Sequence, residues 1–438
     1  AGGGDGAAAV SGAAYATPGG TGREAGGPAA RPRADLLIEG AAELAAPDPG
    51  RPGGVRRIAG GVVAIAGERI AAAGPREEVA RTVDLSGATP VDASGGLVVP
   101  GFVDCHTHLL FGGSRSREYV ARATRRPETL EALVGPTGIA ASVRMTRAAG
   151  DEELLAAARS RLDAMLGQGT TTAESKTGYG LTAEQELRLL ALNRRLGAEH
   201  PVDLVSTLMA AHAFPPGAAD GEERWIDEIV EEIVPAAAGL GAEFNDVFCD
   251  EGYFSVPQAR RILEAGRDAG LRPKIHADQY ARIGAGRLAA ELPVVSADHL
   301  NRTADTELEA LAGAGVVGVL MPLIDFAVAH PEPVDARRWV AAGLTIGLAT
   351  DLCPGGWAVS MPLAMQFACR VCALTPEQAL WAATLGGAKA VGRDDRGAFE
   401  PGRLADAVVI DVPDLDELMY RIGHAPVRRV VRRGRVVV

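Results

Sequence analysis

Apolar residues follow two rhythms along this chain. From Asp35 to about residue 97 they come in short runs broken by Gly and Pro, as in Ala34 to Gly40 (ADLLIEG), Gly60 to Gly74 (GGVVAIAGERIAAAG) and Thr89 to Gly101 (TPVDASGGLVVPG). Such runs predict strands and turns. The end of the chain, Leu404 to Val412 (LADAVVIDV) and Pro426 to Val438 (PVRRVVRRGRVVV), has the same texture. Between these ends an apolar run alternates with an amphipathic helical segment. Eight runs qualify as strands, ending in VVPGFVDCHTH, GQGTTTAES, VDLVSTLMAAH, AEFNDVFCDEG, RPKIHADQ, LPVVSADH, GVVGVLMP and LTIGLATD. Eight β/α alternations predict an α/β fold, a closed (β/α)8 TIM-type barrel rather than an open doubly wound sheet. The expected organisation is a Gly/Ala/Pro-rich disordered tail over 1–33, a first part of a small β-sandwich over 34–97, the barrel over 98–394, and the rest of the sandwich over 395–438.

Polar residues cluster where the apolar runs end. His106, His108, Glu174, His212, Asp250, His276, His299 and Asp351 all fall at such ends, and in this barrel that end of the strands carries the active site. His106 and His108 are spaced i, i+2, which puts both side chains on one face of a strand. Alone, the pair reads equally well as two hydrogen-bonded histidines without an ion. A barrel also brings His276, from the fifth strand, and Asp351, from the eighth, to the same mouth. Three imidazoles and a carboxylate suit Zn²⁺ or a similar divalent ion with a position left for water.

Composition narrows the context. At 438 residues and 47% hydrophobic, the chain can bury a large core with a satellite. No stretch is apolar for long enough to span a membrane, and the Ala/Gly-rich start lacks the pattern of a signal peptide. It begins with Ala1, which implies processing, trimming or truncation. The net charge of -12 argues against a nucleic-acid partner. Five cysteines (Cys105, Cys249, Cys353, Cys369, Cys372) are odd in number and mostly far apart, as expected in a reducing, cytoplasmic setting. Cys369 and Cys372 form a C-x-x-C inside an expected helix from Met365 to Leu374, where the pair simply shares a face.

Several segments carry a resemblance. Pro100 to Asp104 leading into His106-Thr107-His108, the Ala349-Thr350-Asp351 ending, and the helix containing Thr384 to Ala390 resemble the amidohydrolase superfamily. Five blocks are similar to its imidazolonepropionase family: His106 to Arg115, Glu174 to Leu181, Ala211 to Ala213, His276 to Gln279 and Ser296 to Leu300. The resemblance implies ring opening of 4-imidazolone-5-propanoate to N-formimidoyl-L-glutamate in histidine degradation. It implies one divalent ion, zinc or iron, on His106, His108, His276 and Asp351. Asp351 would shuttle protons, and His299 would stabilise the oxyanion or orient the water. The substrate, a small molecule carrying a carboxylate, would meet Arg115, Tyr179, His212, Gln279 and the backbone at Gly355. The planar fork of Arg115 suits a propanoate, and a homodimer is the assembly the resemblance suggests.

Departures accompany the match. Related binuclear enzymes bridge their metals with a carboxylated lysine on the fourth strand; Phe248 to Gly252 has no lysine, which favours one ion. Lys176 is expected in a structural ion pair with Glu174. Cys353 and Gly356 stand where relatives often carry an asparagine and a hydroxyl residue, the segment Met321 to Asp325 lacks the usual Gly and aromatic residues, and Gln279 replaces an acidic residue, which moves the base role to Asp351. His200, His330 and His424 receive no role. Two other readings stand beside this one: an aminohydrolase of a pyrimidine, guanine or related ring, and a non-catalytic scaffold with the same barrel.

Overall fold

Eight strands lie side by side in chain order, all parallel: β1 (Phe102–Asp104), β2 (Thr170–Lys176), β3 (Asp203–Ala211), β4 (Phe244–Cys249), β5 (Arg272–Ala277), β6 (Ser296–His299), β7 (Val317–Leu320) and β8 (Thr345–Leu348). This computed structural model describes residues 31–124, 137–215, 221–292 and 294–438. β2 and β4 are buried along their whole length, as strands sandwiched between a barrel interior and covering helices must be.

Closure comes from the segments just past the first and last strands. Thr107 pairs with Leu352, the His108 amide donates to Leu352 O at 2.8 Å, and the Asp351 amide donates to His106 O at 3.1 Å. Buried Asp104 reinforces the seam by accepting from the Thr350 amide at 3.0 Å and the Thr350 hydroxyl at 2.6 Å. The i, i+2 histidine pair therefore sits on this extended, closed continuation of β1.

Helices follow each strand. Ala183–Glu199 is capped by Thr182, whose hydroxyl accepts from the Gln185 amide. Pro376–Trp381 starts with a Thr375/Gln378 capping box and continues through residues 382–390. The glycines of that last helix permit close approach: a Cβ on Gly386 would lie 2.0 Å from Ile346 O, and one on Gly387 2.4 Å from Val103 O. No other residue lets the helix rest on the β8 and β1 backbones. The helix expected from Met365 to Leu374 is instead Met361–Arg370, so Cys372 lies beyond its end and shares no helical face with Cys369. Past Arg370 the chain leaves the helix through Ala373 at a φ of 62°, and the Leu374 amide closes back on Ala368 O at 3.1 Å.

The chain ends build two further sheets. One has four strands, all from residues 36–92; the other has six, drawn from residues 43–100 and 407–436. Ala407–Ile410 pairs antiparallel with Leu97–Pro100, which joins the two ends. Ile38, Val63, Ile65, Leu44, Val98, Val409 and Val431 pack together from both sheets. The tail expected to reach residue 33 lies outside the described residues up to residue 30; Pro32 O already accepts from the Asp84 amide at 2.9 Å. Among the described residues no helix is long and apolar enough to cross a membrane.

Candidate active site

The mouth at the C-terminal ends of the barrel strands collects the predicted ligands. His106, His108 and His276 offer ligand atoms within 4.8 Å of one another, and so do His106, His299 and Asp351. Each of the three rings has an acceptor at Nδ1: Asp298 for His106 at 2.6 Å, Thr177 O for His108 at 3.3 Å, and Asp246 for His276 at 3.2 Å. This places the proton on Nδ1 and leaves the Nε2 lone pair for a metal. His106 Nε2 is buried without a hydrogen-bond partner, 3.7 Å from Asp351 Oδ1. Burial, then the Lys176 charge, holds the His106 imidazole far below its ordinary range; burial and His212 do the same for His108. Neutral imidazoles beside a carboxylate are the donor set a zinc or iron ion requires, so these residues fit the group.

Strained backbone marks the same rim. Asp278, His299, Leu300 and Asp351 have φ of 48°, 75°, 53° and 48°, the left-handed region that side chains with a Cβ rarely adopt. His299 Nδ1 is buried and unpartnered, leaving a ring nitrogen available to a bound molecule.

Beneath the ligands lies a charged floor that sequence reasoning largely missed. Lys176 meets Asp246 at 2.6 Å, Glu174 at 2.9 Å and Asp298 at 3.5 Å; Lys274 meets Glu174 at 2.8 Å and Cys105 O at 3.3 Å. All five side chains are buried. The expected Lys176–Glu174 pair is present, yet the Asp246 contact is shorter. Asp246, Lys274 and Asp298 had no assigned part. The available signal was a charged residue inside an apolar run, at even spacing from a strand-end polar one, as Lys274 is from His276. Burial works against the Lys176 charge, but Asp246, Glu174 and Asp298 outweigh it and hold the ammonium protonated.

Two of the expected substrate contacts, His212 and Tyr179, stand beside His108. His212 stacks on His108 with centroids 4.9 Å apart, and Tyr179 meets His212 edge-on at 5.1 Å. Burial, then His276, pushes the His212 imidazole down to about 3. Tyr179 is presented by a loop that buried Glu186 clamps, its carboxylate accepting from the amides of Gly178 (2.9 Å), Gly180 (2.7 Å) and Leu181 (2.8 Å). Gln279 is buried at the mouth, and its carbonyl accepts from His330 Nε2 at 2.9 Å. That contact gives the unassigned His330 a structural part. Arg115 differs from expectation in one respect. Its Nε and Nη2 are engaged by Glu118, so a carboxylate can use only the Nη1/Nη2 edge; a methyl on Gly355 would lie 3.3 Å from Nη1 and 3.6 Å from Cys353 Sγ. Asp250 and Asp278 serve as loop anchors, accepting backbone amides of Tyr280 and Ala281, and of Ile283, Ala285 and Gly286.

A parallel eight-stranded barrel thus carries these ligand-type side chains at its C-terminal mouth. The chain belongs to the amidohydrolase family, which matches residues 97–437. Within it, the chain is 42% identical over 374 residues to the imidazolonepropionase of Geobacillus kaustophilus, covering 84% of this chain and 88% of that one. It is 42% identical over 415 residues to that of Symbiobacterium thermophilum, covering 92% and 97%. Among solved structures, an adenosine deaminase from Xanthomonas campestris with bound zinc superposes with a TM-score of 0.68 at 20% identity, covering 93% of each chain. That likeness speaks for the fold alone.

Proposed function

We propose that this chain is a hydrolase of carbon-nitrogen bonds in cyclic amides that opens 4-imidazolone-5-propanoate to N-formimidoyl-L-glutamate. The observation that carries the reading is a pair of ligand-type groups that share His106 at one mouth, His106 with His108 and His276, and His106 with His299 and Asp351, in a chain whose curated relatives of 40–43% identity are imidazolonepropionases. One zinc or iron ion per chain would be held by His106, His108, His276 and Asp351. When bound it supplies Lewis acidity and a water of lowered pKa.

The remaining steps belong to side chains. Asp351 takes a proton from the attacking water and delivers it to the ring nitrogen as the C–N bond breaks. His299, with its free ring nitrogen, donates to the carbonyl oxygen as charge builds there. The free edge of Arg115 holds the propanoate, with Tyr179, His212 and the Gly355 backbone closing round it. Gln279 orients the ring by hydrogen bonding and moves no proton. The small-molecule partner is thus a carboxylate, and the family resemblance is what suggests a cytoplasmic homodimer.

The test is to follow ring opening and ammonia release with zinc- and iron-loaded protein. Imidazolonepropanoate should be consumed without ammonia, and Arg115→Met should raise KM by about tenfold or more, the loss of a charge-assisted hydrogen bond. Ammonia released from a purine or pyrimidine, with the imidazolone untouched, selects the deaminase reading instead. Inertness toward all of them selects the scaffold.

A further inference from the structure

Among the described contacts of the floor, Lys176 alone reaches both carboxylates that stand behind metal-ligand rings: Asp298 holds His106, Asp246 holds His276, and the ammonium lies 3.5 Å from one and 2.6 Å from the other. Asp246, His276 and Asp298 have ligand-type atoms within 4.8 Å of one another. Two carboxylates that close repel each other unless a cation stands between them. Lys274 acts on Asp298 only as a nearby charge, because its ammonium hydrogen bonds go to Glu174 and Cys105 O. Glu174, Asp246 and Asp298 form a nest that would itself collect a cation; Lys176 fills it with one tethered to the chain.

We propose that Lys176 is a positioning residue that couples His106 to His276. By fixing Asp298 and Asp246 together it sets how firmly both imidazoles grip the ion, and it keeps that ion on the imidazole side of the floor. The inference rests on the assignment of His106 and His276 as metal ligands. A carboxylate behind a ligating histidine fixes the ring and raises its basicity, so a group that governs two such carboxylates acts on both ligands at once.

Zinc affinity by chelator competition, and the absorption spectrum of the cobalt-loaded protein, test this independently of turnover. Lys176→Met keeps the stem and removes the charge. Because it strands three buried carboxylates and can fail to fold, the deciding comparison is Glu174→Gln against the double variant Glu174→Gln/Lys176→Met, which removes one negative and one positive charge together. The double variant should bind zinc about 10–100-fold more weakly than Glu174→Gln and show a shifted cobalt spectrum. Equal affinity and an unchanged spectrum in the two proteins would overturn the proposal. A wild-type protein that takes up neither zinc nor cobalt overturns the ligand assignment instead.

Discussion

On one side of the mouth, His106 and His276 lean on side-chain carboxylates locked over a buried lysine; on the other, His108 and His212 lean on the backbone carbonyls of Thr177 and Gly178. The difference separates two kinds of precision. A side-chain acceptor carries full charge and tunes the basicity of the ring it holds. A backbone acceptor contributes only as much as its loop is held still, and here Glu186 holds it with Arg147, which donates to Gly180 O and Leu181 O. The first side, with two of the three ligating rings, should dominate metal affinity, and the second, which adds only His108 to the metal, should dominate the fit of the substrate.

The largest effect should come where both sides meet. Asp351→Asn keeps the shape and loses the proton carrier, so kcat should fall by about 10²–10⁴-fold in steady-state ring opening, with metal content measured alongside. Asp298→Asn comes next: metal affinity should drop about 10–100-fold, and activity at saturating metal should largely return. Glu186→Gln, on the other side, should leave metal content intact and raise KM by about tenfold, which corresponds to roughly 1.4 kcal/mol of lost positioning. A KM effect from Asp298→Asn at saturating metal, or metal loss from Glu186→Gln, would dissolve the division.

The smallest effect lies away from the mouth. Asp203, at the start of β3, is held by Arg396, Arg432 and Arg433. Burial alone would raise its pKa, but those guanidiniums win and hold it below the ordinary aspartate range. A depressed folded pKa means that the stabilisation is present above the ordinary aspartate range and is lost as pH falls through the folded value. Asp203→Asn should therefore lower the thermal midpoint by about 2 °C at pH 7, and the gap from wild type should close below about pH 4.

The division was only half legible beforehand. His106, His108, His276 and Asp351 could be singled out as candidates because they end apolar runs, and strand ends are where this barrel places its chemistry. Glu186 could not. It lies in the first turn of an amphipathic helix, where one more glutamate looks like ordinary compensation of the helix dipole, and only the approach of the Gly178 to Leu181 loop gives it three donors. Arg115 was identified by type and place, yet the claim of Glu118 on one edge of its fork depends on a turn of helix three residues on.

Alternating apolar runs and helical segments determine the barrel by themselves, because parallel strands buried on both faces need covering helices and a closed edge. The same text determines which residue types stand at the mouth. What tertiary structure alone decided is the pairing below it. Lys176, Asp246, Lys274 and Asp298 come from four different strands, and no spacing along the chain encodes which carboxylate meets which ammonium. Those partners are chosen by barrel closure and register, which set neighbours across strands at distances that a linear pattern does not contain.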